Sequence, residues 1–305
     1  MEANIKVGVA GFKRAIIKKA STGKVVKDTG YTPNLITNHG LDVIAGGVGT
    51  TQPFPSGNSP NHYIAVGTNN GAPSVTNTSL GAEIASSNQR ASDYSASGIN
   101  DIEGYTFSRV SREFPEGTFA GQNLAEVGYR YTSDDLIARS LFLDEFGNPT
   151  TITVLSDEIL IVVWEFRLYW PAASVIQNVV DTTTGINHTV TIDPFGVTSQ
   201  LNWGVGRSFN QFNGDTRVIY GDDSSNTYTV GTRGEDGVYT PGSYTANVKI
   251  ELSINQGNDP TGIKNIHVYD NLSTAWDFNF SPVIMKTSSD KLTIRASITA
   301  ARHTP

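Results

Sequence analysis

The chain has no cysteine, so disulfides and thiolate metal sites are both excluded and stability has to come from burial and backbone pairing. Charge is scarce: 17% of the 305 residues are Asp, Glu, Lys or Arg, against a quarter in ordinary soluble domains. Long apolar runs are missing too. The longest, Ile159 to Trp164, has strand length and falls far short of the ~18 residues of a membrane span, so no membrane insertion is expected. Met1-Glu2-Ala3-Asn4 lacks the charged segment and apolar stretch of a secretory signal, which leads us to expect folding in a cytoplasm. The formal net charge of −7 argues against a nucleic-acid surface, which needs a basic face. No collagen-like, heptad, solenoid or propeller period is present, and so no fibrous shaft.

What the chain does have is Gly, Ser, Thr and Asn in abundance, with 38% apolar and 10% aromatic residues. That blend suits many short strands and excludes disorder. Alternation is clearest at Leu160, Val162, Trp164, Phe166, Leu168 and Trp170, with Val163, Glu165, Arg167 and Tyr169 on the opposite side. Ile5, Val7 and Val9 alternate upstream, and Ala15-Ile16-Ile17 leads through Ser21-Thr22-Gly23 to Val25-Val26 as a hairpin. Leu141 and Leu143 enter the turn Asp144 to Pro149, from which Ile152 and Val154 leave as the return strand. Asn38 is a cap for a short helix with Leu41, Ile44 and Ala45 inward, and Thr78 to Ala85 is a candidate second helix. After Pro171 new strands alternate at Tyr244 to Ile254, Trp276 to Phe280 and Leu292 to Ile298. The expected fold is mainly β: two antiparallel sandwich-like domains, 1–171 and 182–305, joined by a linker at 172–181, with one or two short helices in the first.

Chemistry-bearing patterns are thin. His39, His62, His188, His267 and His303 have no metal-ligand spacing, so each is expected to be an ordinary turn or strand residue. Asp134-Asp135, Asp222-Asp223 and Glu235-Asp236 are adjacent, and neighbours on a strand point to opposite faces, which makes poor catalytic pairs. There is no Gly-x-Ser-x-Gly elbow, and Gly46-Gly47-Val48-Gly49 and Gly204-Val205-Gly206 lack the completing residues of a phosphate loop. No cofactor and no catalytic residue is expected. The basic residues Lys13-Arg14, Lys18-Lys19, Lys24 and Lys27 read as a solvated or inter-subunit face, or else as a docking patch for an acidic partner. The candidate contact residues are Trp203, Phe209, Phe212, Tyr220, Tyr228 and Tyr239, set among Gly, Asn, Asp and Ser. They either plug the sandwich ends and touch a neighbouring subunit, or stack on a saccharide.

Four segments carry a resemblance: Asn123-Leu124-Ala125-Glu126-Val127-Gly128, Ala138 to Asp144, Gly147 to Val154, and Trp164-Glu165-Phe166-Arg167-Leu168-Tyr169-Trp170-Pro171. With Asn34 to Asp42 and Ile64 to Asn70, they resemble a group of tailed-bacteriophage virion proteins described as tail-fibre, collar or other tail-associated components. The likeness spans roughly residues 30–171 and, more loosely, Gly185 to Asn202. It implies a non-enzymatic structural component of the virion, assembled in the host cytoplasm and acting through protein–protein contacts. Its partners would be copies of itself, as a trimer or ring, and other tail or neck proteins. A receptor- or glycan-binding module that meets host surface glycan or an outer-membrane protein, and a capsid decoration protein, stay open as alternatives.

Overall fold

The computed structural model describes residues 2–46, 60–100, 102–132, 135–169, 171, 174–181, 184–195, 216–220, 227–230, 233–235, 239–258, 261–269 and 275–304. Its spine is β1, Glu2–Lys19, an 18-residue strand. Ile5, Val7, Val9, Ala15 and Ile17 line its inner face and are all buried. One edge of β1 pairs with a later strand, Glu158–Tyr169, from Gly8↔Tyr169 to Lys19↔Glu158. The other edge is shared by three partners in succession. Glu2 to Val9 run parallel to the last strand, Leu292–Arg302; Gly11 to Lys13 meet Thr32–Ile36; Ile16 to Lys18 meet Val25–Asp28.

In chain order, β2 is Val25–Asp28, β3 Thr32–Ile36, α1 Asn38–Gly46, β4 His62–Gly67, β5 Glu83–Ser87, β6 Ala96–Asn100 and β7 Tyr105–Phe114. β8 is Asn123–Leu124, β9 Glu126–Tyr131, β10 Leu136–Leu141, β11 Ile152–Thr153 and β12 Glu158–Tyr169. β12 lies between β1 and β7, so Leu160, Val162, Trp164, Phe166 and Leu168 form one wall of the core. The second wall starts where β3 leaves β1 and pairs with β10, which leads through β9 and β4 to β5. Tyr129 of β9 closes the two walls: its ring stacks 5.7 Å from that of Trp164 and meets Phe166 edge-on at 5.0 Å. The sheet thus curls into a half-barrel.

α1 forms where expected, with Leu41, Ile44 and Ala45 buried, but the cap is Thr37 rather than Asn38. The Thr37 hydroxyl accepts from Gly40 N at 2.9 Å, leaving the Asn38 side chain to accept from Arg302. Only glycine fits at position 40, since a Cβ there would stand 2.1 Å from the Ile137 carbonyl oxygen. The candidate helix over Thr78 to Ala85 does not form. Its C-terminal half enters β5, because Glu83 to Ser87 find an open edge on β4. The Asp144 turn is as expected, with Asp144 Oδ1 accepting from Phe146 N and Asn148 N. The strand after it, however, pairs Ile152 with Leu124 of β8 instead of returning along β10.

Beyond Pro171, β13 is Val175–Val180, β14 Asn187–Phe195, β15 Thr216–Tyr220, β16 Thr227–Val230, β17 Arg233–Glu235, β18 Thr245–Leu252, β19 Ile263–Tyr269, β20 Ala275–Ile284 and β21 Leu292–Arg302. Six of them form a second sheet in the order β13-β14-β20-β19-β15-β16. Residues 175–180, expected within the linker, are therefore an edge strand. Meanwhile β17, β18 and β21 extend the first sheet through β1. Val190, Ile192, Phe278 and Phe280 of the second sheet share one continuous core with Ile294 and Ile298 of β21 and Ile5 of β1. The mainly-β, antiparallel character matches expectation, and the sheet runs across the division anticipated between 1–171 and 182–305.

One inward position of β1 breaks the apolar pattern of that strand. Lys13 faces inward, 2% exposed, and its Nζ donates to Thr32 Oγ1 at 2.7 Å and to the Pro33 carbonyl at 3.4 Å. Among the described residues it has no carboxylate partner. Burial pushes the amine down from 10.5 to about 7. Between those values the unfolded chain holds a proton that the folded chain lacks, so stability rises with pH across that window and is flat, for this group, below it. Lys13→Met should stabilise the fold near neutral pH by about 1 kcal/mol or more and remove this share of the rise. Urea midpoints of both chains at neutral and at alkaline pH would check it.

Candidate interaction face

Register decides which side chains meet on the outer face of β1, β12 and β7. Phe12, Glu165 and Arg109 stand in one row, Ala10, Arg167 and Phe107 in the next, and Gly8, Tyr169 and Tyr105 in the third. Glu165 is the hinge of this arrangement: its carboxylate is 2% exposed and serves two guanidinium groups. Arg109 Nε donates to Oε2 at 2.8 Å and Arg167 Nε to Oε1 at 2.7 Å. Arg167 lies over the rings of Phe12 at 3.9 Å and Tyr105 at 4.4 Å. Arg109 lies 5.0 Å from the Tyr31 ring and 5.2 Å from that of Phe107. Arg14 extends the pattern to Tyr31 and Tyr94 at 5.7 and 5.9 Å, and pairs with Asp28. That guanidinium, by hydrogen bonding first, holds the Asp28 carboxyl below its ordinary value.

Carboxylates from Asp28, Glu165 and Glu103 answer the three arginines, so this is no polyanion surface. It is a half-open array of planar cations on rings, each contact worth about 0.5–1 kcal/mol at such exposure. The rings also hold the guanidinium planes in place, which lowers the entropy lost when a partner docks.

Below this array the outer side of β12 is closed. Ile161 and Val163, with Ile16 of β1, pack under Ala91, Tyr31 and Tyr94. Tyr169 is stacked on His303 at 3.9 Å. Val163 and Tyr169, on this side of β12, are therefore covered by the chain itself. The basic cluster is divided as well. Lys13 points inward, Arg14 pairs with Asp28, and Lys19 pairs with Asp157 and Glu158.

Of the aromatic candidates, Trp203, Phe209 and Phe212 lie outside the described residues, while Tyr220 ends β15 and Tyr228 sits on β16 opposite Val218. Tyr239 is turned toward α1. Its hydroxyl donates to Asp42 Oδ1 at 2.6 Å, and its ring lies against Gly46, where a Cβ would stand 2.2 Å away. Burial, with the Asp42 hydrogen bond and charge adding to it, raises the phenol.

The histidines are dispersed. His62 Nδ1 bonds the Tyr129 hydroxyl at 2.5 Å, and burial, helped by the Arg112 charge, lowers this imidazole to about 3, so it is neutral. His188 Nδ1 meets the Pro282 carbonyl oxygen at 2.7 Å. Among the described residues no three His, Cys, Asp or Glu side chains converge as a metal site. Asp134, Asp222, Asp223 and Asp236 lie outside the described residues. No described helix is long and apolar enough to cross a membrane.

Sequence reasoning placed Glu165 and Arg167 together on one side of β12 but did not bring Arg109, Tyr105 or Phe12 to them. Those neighbours follow only from the pairing of β1 and β7 with β12. Glu165→Gln removes the carboxylate shared by Arg109 and Arg167, of which Arg167 keeps, among the described residues, only the carboxylate of Glu103 at 3.8 Å, and should cost about 1.5–3 kcal/mol, below the full value of a broken buried pair because solvent reaches both arginines. Arg14→Ala, which breaks a more exposed pair, should cost less than about 1 kcal/mol. Equilibrium urea unfolding of the two variants gives the comparison, and equal losses would show that Glu165 is not the organising charge. Comparison of the chain with family models, with curated proteins and with solved structures yields no match.

Proposed function

We propose that the chain is a non-enzymatic structural component of a tailed-phage virion, tail-associated as a fibre, collar or baseplate-type part, and that it works through protein–protein contacts. The observation that carries the contact reading is the outer face of β1, β12 and β7. Arginine and tyrosine are the residue types that dominate the energetics of protein interfaces, and here Arg14, Arg109 and Arg167 are held over rings before any partner arrives. The virion reading rests on the resemblance of the segments within residues 30–171. Four of them supply framework of this structure: α1, the buried strand pair β9–β10, and β12.

Partners in this reading are copies of the chain, as a trimer or ring, and neighbouring tail or neck proteins. Apolar side chains at turns offer further contact points: Ile102 at the β6–β7 turn is 98% exposed and Phe146 at the Asp144 turn 81%. Closed symmetry would cover such residues without propagating into filaments.

Peptide mass spectrometry of purified particles whose genome encodes the chain should detect it in several copies per particle; its absence from intact particles overturns the virion reading. Sedimentation velocity of the purified chain at micromolar concentration should show a trimer or a closed ring. A monomer there, with no contact between identical chains in an averaged density map of the particle, overturns the self-assembly.

A further inference from the structure

The six-stranded sheet ends at β13, which pairs with β14 on one side and, among the described residues, with no strand on the other. Its sequence, Val175-Ile176-Gln177-Asn178-Val179-Val180, holds no charged residue, proline or glycine, and its register with β14 is unbroken. Sheet ends are ordinarily guarded against other chains by charged side chains, proline or a bulge. The edge strands β2 and β5 follow that rule, with Lys27 and Asp28 on one and Glu83 on the other. β13 does not. Ile176 and Val180 are 67% and 53% exposed, with exposed Asn178 between them, so the outward row of this strand is apolar at both ends and polar in the middle.

The backbone phase of β13 follows from its hairpin. Asp181 N donates to the Ile186 carbonyl at 2.8 Å, one step beyond the Val180↔Asn187 pair. Along an antiparallel ladder, residues bonded to the neighbouring strand alternate with residues whose N–H and C=O point away from it. Val175, Gln177 and Val179 therefore share the phase of Asp181. Ile176, Asn178 and Val180 direct their backbone groups to the open edge. Beneath that edge lies the start of β1, where Gln177 Nε2 reaches the Asn4 carbonyl at 3.4 Å, and β12 joins β1 only from Gly8 onward.

We infer that β13 is a contact between two copies of the chain, paired antiparallel about a twofold axis through Asn178. A twofold normal to the sheet sets each residue opposite one of the same face. Centred on Asn178, it places Ile176 opposite the partner's Val180, Val180 opposite the partner's Ile176, and Asn178 opposite itself. All three outward residues then meet outward residues, which gives about six backbone hydrogen bonds, and apolar side chains meet apolar ones on the exposed face. A centre at Gln177 would set Ile176 opposite Asn178 and leave Val180 beyond the paired strand. This self-complementarity selects a second copy as the occupant, and charge agrees with it. A chain of net charge −7 repels its own copies, yet β13 brings none of that charge to the contact, and Asp181, next in line, falls opposite the partner's Val175. The strand pair covers roughly half of the ~800 Å² per partner of a standard interface, which corresponds to a micromolar dissociation constant. The inference rests on this edge alone, independent of the virion reading, and adds a twofold contact to any ring the chain forms.

Because the chain has no cysteine, single substitutions report the register. Cα atoms of a hydrogen-bonded antiparallel pair lie about 5.5 Å apart, within the span of a disulfide. Asn178→Cys in the full chain should therefore give a disulfide-linked dimer on mild oxidation at micromolar concentration. Ile176→Cys, about 14 Å from its own copy in this register, should be linked at least about tenfold less. Ile176→Lys, which installs the missing guard, should weaken the twofold association about tenfold or more in sedimentation equilibrium. All three substitutions are at exposed positions; melting temperatures verify the folds, and if a cysteine variant fails that control Ile176→Lys decides. Equal linking at positions 176 and 178, no linking at 178, or unchanged association of a folded Ile176→Lys chain overturns the pairing. A trimer or ring without linking at 178 overturns this contact and spares the assembly proposed above, whereas a 178-linked dimer without a ring does the reverse.

Discussion

β1 gives one edge to β12 along twelve paired residues, while its other edge is divided among β21, β3 and β2. Every layer hangs on that division. Where β3 departs from β1 to pair with β10, the sheet turns back over its own inner face and encloses Trp164, Phe166 and Tyr129. Where β21 takes over the edge, the same strand becomes the floor beneath the six-stranded sheet. The inner side chains of β1 therefore belong to both parts of the core at once: Ile5 and Val7 lie beside Ile298 and Ala300, and Ala15 and Ile17 beside Val162 and Leu160. A strand used this way needs a long, unbroken alternation, and Lys13 interrupts the apolar series without interrupting the register.

The interior tolerates its charged residues in two ways. Glu126 and Arg139 neutralise each other inside the fold at 2.8 Å, and the carboxylate also accepts from Gly81 N and Ala82 N, so a buried pair orders a loop as well. Arg112, 1% exposed, is bonded to the His62 and Ser111 carbonyl oxygens. Lys13 is also carried by neutral oxygens and answers burial with a shifted proton affinity. The outer face follows a third pattern, in which one sequestered carboxylate, Glu165, organises partly exposed guanidinium groups from its own strand and from β7.

Much of the local structure was legible from residue order. β1, β12, β18 and β21 alternate cleanly, and the Asp144 turn and α1 announce themselves through turn and helix chemistry. What could not be read was partnership. Alternation states which side of a strand is apolar but not which strand lies beside it, so the β1–β21 pairing, the β8–β11 pairing and the outer rows of arginines and rings were all out of reach. Short elements misled for a related reason. Glu83 to Ser87 and Val175 to Val180 have weak patterns of their own and become strands because a neighbouring edge is open to them. The aromatic candidates divided according to what the surroundings require: Tyr239 proves to be a brace for α1, a role that depends on Asp42 lying nearly two hundred residues earlier.

The parallel pairing of Glu2 to Val9 with Arg295 to Arg302 has a consequence in time. Contacts between residues nearly three hundred positions apart carry a large loop-closure entropy and slow folding accordingly. During synthesis the half-barrel can assemble as soon as β12 has emerged, yet the free edge of β1 beside residues 2–9 stays open until residues 292–302 arrive. An unpaired strand edge of that kind is a template for other chains. Nascent copies held close together on one message would thus be exposed to mispairing while the intervening residues are made, and the arrival of β21 ends the exposure.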